Sequence, residues 1–520
     1  MSKVLFVVPP YSSWGVEAIG TWPPLQIAYL AGAVEGAGHE ARICDAMNMA
    51  GATFETIRAE VEAYRPDVVV AYDYLPVTGA ISTAVVPAAV KSLGLAKAVN
   101  PAITTLLGGP FPTFKYHELL RDPSGAVDIV LRGEAEATFP ELLAALQEGH
   151  QTCSGGDRLL APLAMSPPGP PMWGSGKAQA PHLDGVRGIA FLRDDEVIAT
   201  EIRPHITDLD TVKPAWHLLD WDTYNYRIDP SGRMASMLTS RGCMMGCSFC
   251  SHRAFWRGDW RARTPEDVME EARLLVDRYG VEWITLIDPY PTHDRERWER
   301  LLDLFIEADL GVRLLIETRV EDIVRDEDIL PKYRKAGVIH IYLGAEGSTD
   351  EMLGMLNKGT NISQNEIAIR LAREHGMLTE ASFMIGHPTE TWASIEKTIE
   401  VALRMNPDIA VFPVLTPMPF TPIFEEMKDR IRVHDYSKYN LATPIIEPYA
   451  MTLEEVTIAL GKCYMDFYSK KIPEIHALPD GFKRRYLLSA CKEMMSAYGR
   501  HFGHLGTKMP TMHPHLAHPS

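Results

Sequence analysis

Residues Ser240–Trp256 read SRGCMMGCSFCSHRAFW. Three of the chain's seven cysteines, Cys243, Cys247 and Cys250, stand here within eight residues, spaced C-x3-C-x2-C. The apolar run Met234–Thr239 just before them predicts a buried strand. Just after them a helix is signalled: Thr264 as N-cap, Pro265 at the first position, Glu266 and Asp267 in the first turn, Gly280 as the stop. Further strand candidates follow at Trp283–Ile287, Arg313–Glu317, Ile339–Leu343, Thr379–Ile385 and Ile409–Leu415, with helical patterns between them. Roughly six β/α units predict an open or partial barrel. Chemistry in such barrels sits at the C-terminal ends of the strands, and the cysteines fall on that rim.

Upstream, the first 150 residues also alternate. Apolar runs at Val4–Val8, Ala41–Cys44, Asp67–Ala71, Ile103–Leu107 and Val127–Leu131 flank helical patterns, the signature of a doubly wound parallel sheet. Such sheets bind ligands beyond the carboxyl ends of their strands. Tyr11, Tyr74, the pair Gly108–Gly109 and Glu134 stand in the segments expected there. No GxGxxG follows the first run, which argues against a dinucleotide site. Residues 153–186 are rich in Pro, Gly and Ser and read as a linker. GIAFLRDDEVIATEI after it predicts two short strands around a turn at Arg193–Asp195. The expected organisation is 1–150, a joining segment 151–232, a barrel 233–425, and a mostly helical region 426–520 with a His-rich tail.

A net charge of −17 over 520 residues argues against a nucleic-acid groove. No run of about 18 apolar residues predicts a membrane span. The apolar stretch at the N-terminus is only about five residues long and reads as a first strand, not a signal peptide. Cysteines in such a chain are expected to be reduced thiols in the cytoplasm. Close spacing then points to metal. Three thiolates can hold three irons of a [4Fe–4S] cluster and leave the fourth open. Phe249, directly before the third cysteine, favours that reading. The competing one is a zinc site completed by His252, for which the Cys250-x-His252 spacing is cramped.

GCMMGCSFC resembles the signature of the radical S-adenosylmethionine (SAM) superfamily. The resemblance implies that the open iron chelates SAM and that the SAM is cleaved to a 5′-deoxyadenosyl radical. It also places Asp288 at the end of the second strand, Glu346 near the SAM ribose or amino group, Arg319 facing the SAM carboxylate and Gly386 close to the adenine. For Glu346 and Arg319 a salt bridge on the barrel rim is the alternative. A doubly wound domain ahead of such a barrel, with GGPFPTF and LRGEAEATFPELL, is similar to the cobalamin-dependent subclass. Tyr11, Tyr74, Gly108, Gly109 and Glu134 become candidates to contact the corrin. The first loop, PPYSSWGVEAIG, lacks the cobalt-ligating His of other cobalamin domains, so water or a bulky residue such as Tyr74 would cap the metal.

The full expectation is an α/β chain: a cobalamin-binding doubly wound sheet, a partial (β/α)6 radical SAM barrel and a helical C-terminal region. Within the subclass, GTWPPLQIAYLAGAVEGAGHEARICDAM and YRKAGVIHIYLGAEG are similar to the anaerobic oxidative cyclases of bacteriochlorophyll synthesis. Against that pattern, Met244-Met245-Gly246 replaces Pro-Phe-Thr between the first two cysteines. Oxidative cyclisation and C-methylation both suit this set of cofactors. Either implies a low-potential donor, flavodoxin or ferredoxin, and a hydrophobic small-molecule substrate. The apolar, Pro-rich stretch Phe412–Phe424 is either pocket lining or core.

Overall fold

The computed structural model describes residues 1–11, 20–73, 82–153 and 183–502. Tyr74, most of the first loop, the linker from 154 and the His-rich tail lie outside them. The described residues form two compact units: 1–11, 24–73 and 82–219 in the first, 20–23 and 220–502 in the second.

In the first unit β1 (Lys3–Val8), β2 (Glu40–Asp45), β3 (Val68–Tyr72), β4 (Thr104–Gly108) and β5 (Ile129–Leu131) run parallel in the order β2-β1-β3-β4-β5. Their Val- and Leu-rich runs follow from burial on both faces. Val4, Phe6, Val69, Val70, Leu106 and Leu107 are fully buried. Strand order reverses between β1 and β3, where such sheets open a crevice at the carboxyl edge. The expected hairpin forms β6 (Ile189–Arg193) and β7 (Glu196–Ala199). It continues this same sheet, antiparallel to β5. Asp194 and Asp195 at its tip both have positive φ, as a two-residue turn between twisted strands requires.

In the second unit β9 (Asp229–Met237), β12 (Val281–Leu286), β13 (Arg313–Thr318), β14 (Val338–Glu346), β15 (Leu378–Phe383) and β16 (Ile409–Val411) are parallel and neighbour one another in chain order. That is the partial (β/α)6 barrel. β8 (Asn225–Tyr226) adds an antiparallel edge to β9. The helix Pro265–Tyr279 starts and stops as expected: Thr264 Oγ1 accepts from Asp267 N at 3.2 Å, and Gly280 is left-handed. Long helices at Leu453–Ala477 and Phe482–Phe502 make up most of the C-terminal region. The second of them sends Phe482 and Tyr486 against Trp283 and Tyr226, closing the N-terminal floor of the barrel with aromatic rings.

Residues 20–23 join this unit from far upstream. Thr21 Oγ1 donates to Thr223 O at 2.6 Å, Thr21 N donates to Asn225 O at 3.2 Å, and Gly20 bridges Tyr226. β10 (Ser240–Gly242) and β11 (Trp260–Ala262) form a separate two-stranded ribbon.

Candidate active site

The ribbon pinches the base of the cysteine loop through Ser240↔Ala262, Arg241↔Arg261 and Gly242↔Trp260. The loop is then stapled along its length. Asn357 Nδ2 donates to Gly246 O at 2.7 Å, Ser248 N to Leu356 O at 3.0 Å, and Ile423 N to Ser248 O at 3.2 Å. Phe249 packs on an apolar cluster that includes Met352, Leu356, Met384, Leu415 and Ile423. Cys250 caps the short helix Ser251–Trp256. Cys247 is buried, while Cys243 and Cys250 keep some exposed surface.

Burial, and then the neighbouring charge of Cys247, pushes the Cys250 thiol up to about 12. Burial also raises Cys243, against the pull of Arg319 and Lys358. The three thiols thus sense one another. Among the described residues, however, no three His, Cys, Asp or Glu side chains gather where they could hold one ion. Three free thiols on one stapled loop, near enough to sense one another, are the donor set a three-cysteine cluster would need.

Beside the loop, at the carboxyl end of the barrel, lies a buried charged group. Glu346 ends β14 at φ +61°, a conformation that costs a non-glycine residue about 1–2 kcal/mol. Its Oε1 accepts from Lys358 Nζ at 3.2 Å and its Oε2 from Ser382 Oγ at 3.1 Å. Gly344 leaves the room they need, since a Cβ there would collide with both the Glu346 carboxylate and the Lys358 ammonium. Arg319 follows β13, donates to Lys358 O at 2.6 Å and pairs with Glu321. The Glu346 carboxylate facing Lys358, with Arg319 held by Glu321 beside them, suits a ligand that carries an ammonium and a carboxylate on the same carbon.

Asp288 is placed differently from these. Fully buried after β12, it accepts from Thr239 N at 3.0 Å, Thr239 Oγ1 at 2.8 Å and Ser240 Oγ at 2.6 Å. It therefore ties down the root of the cysteine loop. Gly386, with φ +75°, donates from its N to Glu390 Oε2 at 2.8 Å in the loop after β15.

In the first unit, Tyr11 follows β1 and is half-buried, and Gly108–Gly109 closes β4. The space at this glycine pair is used internally. Side chains there would strike the Tyr72 ring and the Asp73 carboxylate. Asp73 is fully buried; its Oδ2 accepts from Phe111 N at 2.7 Å and its Oδ1 has no partner. Burial holds its carboxyl well above the usual range. A buried carboxyl with one oxygen unpartnered among the described residues suits a ligand rimmed with amides, as a corrin is. Glu134 accepts from Ile206 N at 2.7 Å and anchors that segment.

Residues 14–143 match the B12 binding domain and residues 237–402 the radical SAM superfamily. The fold is that of the radical SAM methyltransferase TsrM from Kitasatospora setae, a structure with cobalamin and [4Fe–4S] cluster bound (TM-score 0.68, 15% identity, 96% of this chain and 100% of that one). The hopanoid C-3 methylase of Methylococcus capsulatus is 26% identical over 86% of this chain and 76% of its own. The anaerobic magnesium-protoporphyrin IX monomethyl ester cyclase of Rubrivivax gelatinosus is 36% identical over 97% of this chain and 84% of its own. The chain belongs to the cobalamin-dependent radical SAM family. It is an enzyme, and its cofactors are a [4Fe–4S] cluster, SAM and cobalamin. Enzymes of this family take an electron from a reductant. Among the described residues no helix is long and apolar enough to cross a membrane.

Lys358 and Asp73 were not singled out by sequence reasoning. Lys358 follows the Glu346 segment, and a lone lysine in a loop carries no signal of burial.

Proposed function

We propose that this radical SAM enzyme closes the isocyclic ring of magnesium-protoporphyrin IX monomethyl ester, oxidising the methylpropionate side chain with oxygen from water. The observation that carries the reading is the identity to a cyclase of that name along almost the whole chain. Cys243, Cys247 and Cys250 hold the cluster. Glu346 takes the SAM ammonium, Arg319 and Lys358 its carboxylate, and Gly386 lies near the adenine. Asp288 and Phe249 keep the cysteine loop in place. Held there, the cluster and SAM would supply 5′-deoxyadenosyl radical chemistry, and the corrin would supply one-electron chemistry. Tyr11, Gly108, Gly109 and Glu134 would frame the corrin edge beside the Asp73 carboxyl; Tyr74, the remaining candidate, lies outside the described residues. Residues 1–150 serve the corrin and 233–425 the radical chemistry; of the joining segment 151–232, residues 183–219 belong with the first unit, and the described part of 426–520, up to 502, shields the barrel. A cytoplasmic flavodoxin or ferredoxin supplies the electron.

A second reading, C-methylation of a hydrophobic substrate, is favoured by the relation to the hopanoid methylase. One experiment separates the two. The reconstituted enzyme is turned over anaerobically with cobalamin, SAM, reductant and the porphyrin ester. Deoxyadenosine without S-adenosylhomocysteine, with an oxygenated or ring-closed product, supports the cyclase. Deoxyadenosine with S-adenosylhomocysteine and a gain of one methyl supports the methylase.

A further inference from the structure

The loop that carries the three cysteines uses its carbonyls and its amides very differently. From residue 244 to residue 248 every carbonyl is taken. Arg253 Nη1 donates to Met244 O at 3.1 Å and to Met245 O at 3.3 Å. Asn357 Nδ2 donates to Gly246 O at 2.7 Å. Cys247 O accepts from Cys250 N at 3.3 Å, and Ser248 O from Ile423 N at 3.2 Å. Of the amides, Ser248 N donates to Leu356 O at 3.0 Å, and Met245 N donates to the Cys243 sulfur. Those of Met244, Gly246, Cys247 and Phe249 meet no oxygen acceptor among the described residues. Backbone groups ordinarily find partners in both senses. A run with its carbonyls bound and its amides unspent is a concave set of N–H groups, the arrangement that receives anions, iron–sulfur clusters among them.

Arg253 and Asn357 account for three of those carbonyls, and both residues are exposed, so no packing role explains their placement. Arg253 stands on the short helix Ser251–Trp256, just past the third cysteine. Asn357 has φ +50°, a left-handed conformation that asparagine tolerates better than most residues. Gly246 is fitted to it, since a Cβ there would sit 2.6 Å from Asn357 Nδ2. The same point is 3.8 Å from Arg253 Nη1, which puts both donors on one side of the loop. An extended chain sends successive carbonyls to opposite sides. Here three in a row meet donors on one side, so the chain between Cys243 and Cys247 is curled and its amides turn the other way.

We propose that Arg253 and Asn357 are positioning residues: by holding the carbonyls of Met244, Met245 and Gly246 outward, they turn the amides of this loop toward the cysteine sulfurs and so set how readily a cluster held there accepts an electron. This role rests on the assignment of Cys243, Cys247 and Cys250 as the cluster ligands. Hydrogen bonds to the sulfurs are one of the levers on the potential of such a cluster, and they favour its more negative, reduced form. Partners that act through a ligand in this way tune a metal site without touching the metal. Asp288 and the β10–β11 ribbon fix the root of the loop; Arg253 and Asn357 shape its crown.

The test uses the full chain reconstituted with its cluster, without SAM or substrate. Reduction at a fixed low-potential poise is read by electron paramagnetic resonance, and iron is counted per chain. Asn357→Gly removes the amide, changes no charge and suits the positive φ. Its iron content is expected to stay native while the reduced-to-oxidised ratio falls about tenfold, the worth of one hydrogen bond. Arg253→Met, which loses two hydrogen bonds and a positive charge, is expected to lower the ratio further. Gly246→Ala pushes the Asn357 amide aside and should give the same fall as Asn357→Gly, and the two together no more than either alone. The Fe–S stretching bands in the Raman spectrum should move on deuterium exchange in the native enzyme and move less in Asn357→Gly. A merely structural role would cost iron and leave the ratio of the remaining clusters unchanged. That result, or additive falls in the double variant, overturns the positioning role alone. A full cluster signal from Cys243→Ala overturns the cysteine assignment and the positioning role with it.

Discussion

Lys358 and Glu346 show how tightly single residues are bound to this chemistry. Each is about nine-tenths buried, and each is the other's main compensation. Lys358→Met leaves a buried carboxylate with only Ser382 for company, so a loss of about 3–5 kcal/mol is expected in denaturant unfolding. SAM binding, read by equilibrium dialysis, should weaken in parallel. Cys243→Ala should abolish SAM cleavage yet leave the cobalamin absorbance intact; deoxyadenosine formation by that variant would sink the cluster assignment. Glu317 makes a prediction about pH. Burial, followed by the charges of Glu380, Asp288 and Glu346, pushes its carboxyl up to about 8 from its ordinary 4.5. The folded chain therefore holds a proton that the unfolded chain gives up. Stability from this group is complete below pH 4.5 and lost as pH rises through 8. Glu317→Gln should flatten that decline, recovering on the order of 2–4 kcal/mol at pH 9, measured on the cofactor-free chain. The cysteines were legible in the sequence because spacing alone limits what three thiols can do. Glu317 and Glu380 were not, since an acid within a strand reads as a solvent-facing position until the sheet curls it inward.

Elements with strong local signals were easy to read, and those held by their neighbours were not. The helix Pro265–Tyr279 carries its own cap, first-turn acids and stop, so both its ends were legible. Thr264→Ala should cost about 1 kcal/mol in thermal unfolding without touching the cofactors. The Val-rich strands of the first sheet were equally plain. β8, β10 and β11 span only two or three residues each. Nothing in so short a run marks a strand; the partner across the ladder does. The β6–β7 hairpin was legible as a hairpin through its turn, but its place in the first sheet depends on pairing with β5. At the end of β14, Gly344→Ala should spare the cluster's absorbance and lower SAM affinity at least tenfold, or about 1.4 kcal/mol. The reason is the Cβ it would press into the Glu346–Lys358 pair.

At the scale of the whole molecule, two sheets built on one alternating principle divide the cofactors between them in the proposed assignment. Ligands that bind only folded protein raise stability by mass action, about 2.7 kcal/mol at a hundredfold excess over Kd. Calorimetry under anaerobic conditions should therefore show cobalamin moving the unfolding of the first unit, and SAM with the cluster moving that of the second. Both alternations were legible in the sequence. What it could not show is that residues 20–23 belong with the barrel, because a handful of hydrogen bonds and a single bridge leave no periodic trace. That attachment has a cost in time during synthesis. Thr21 bonds Asn225, 204 residues further along the chain. At about 5–20 residues per second, it leaves the ribosome roughly 10–40 seconds before its partner exists. Through that interval the nascent first unit carries an unclaimed end of the second, and a fragment translated from residue 220 onward would never acquire it.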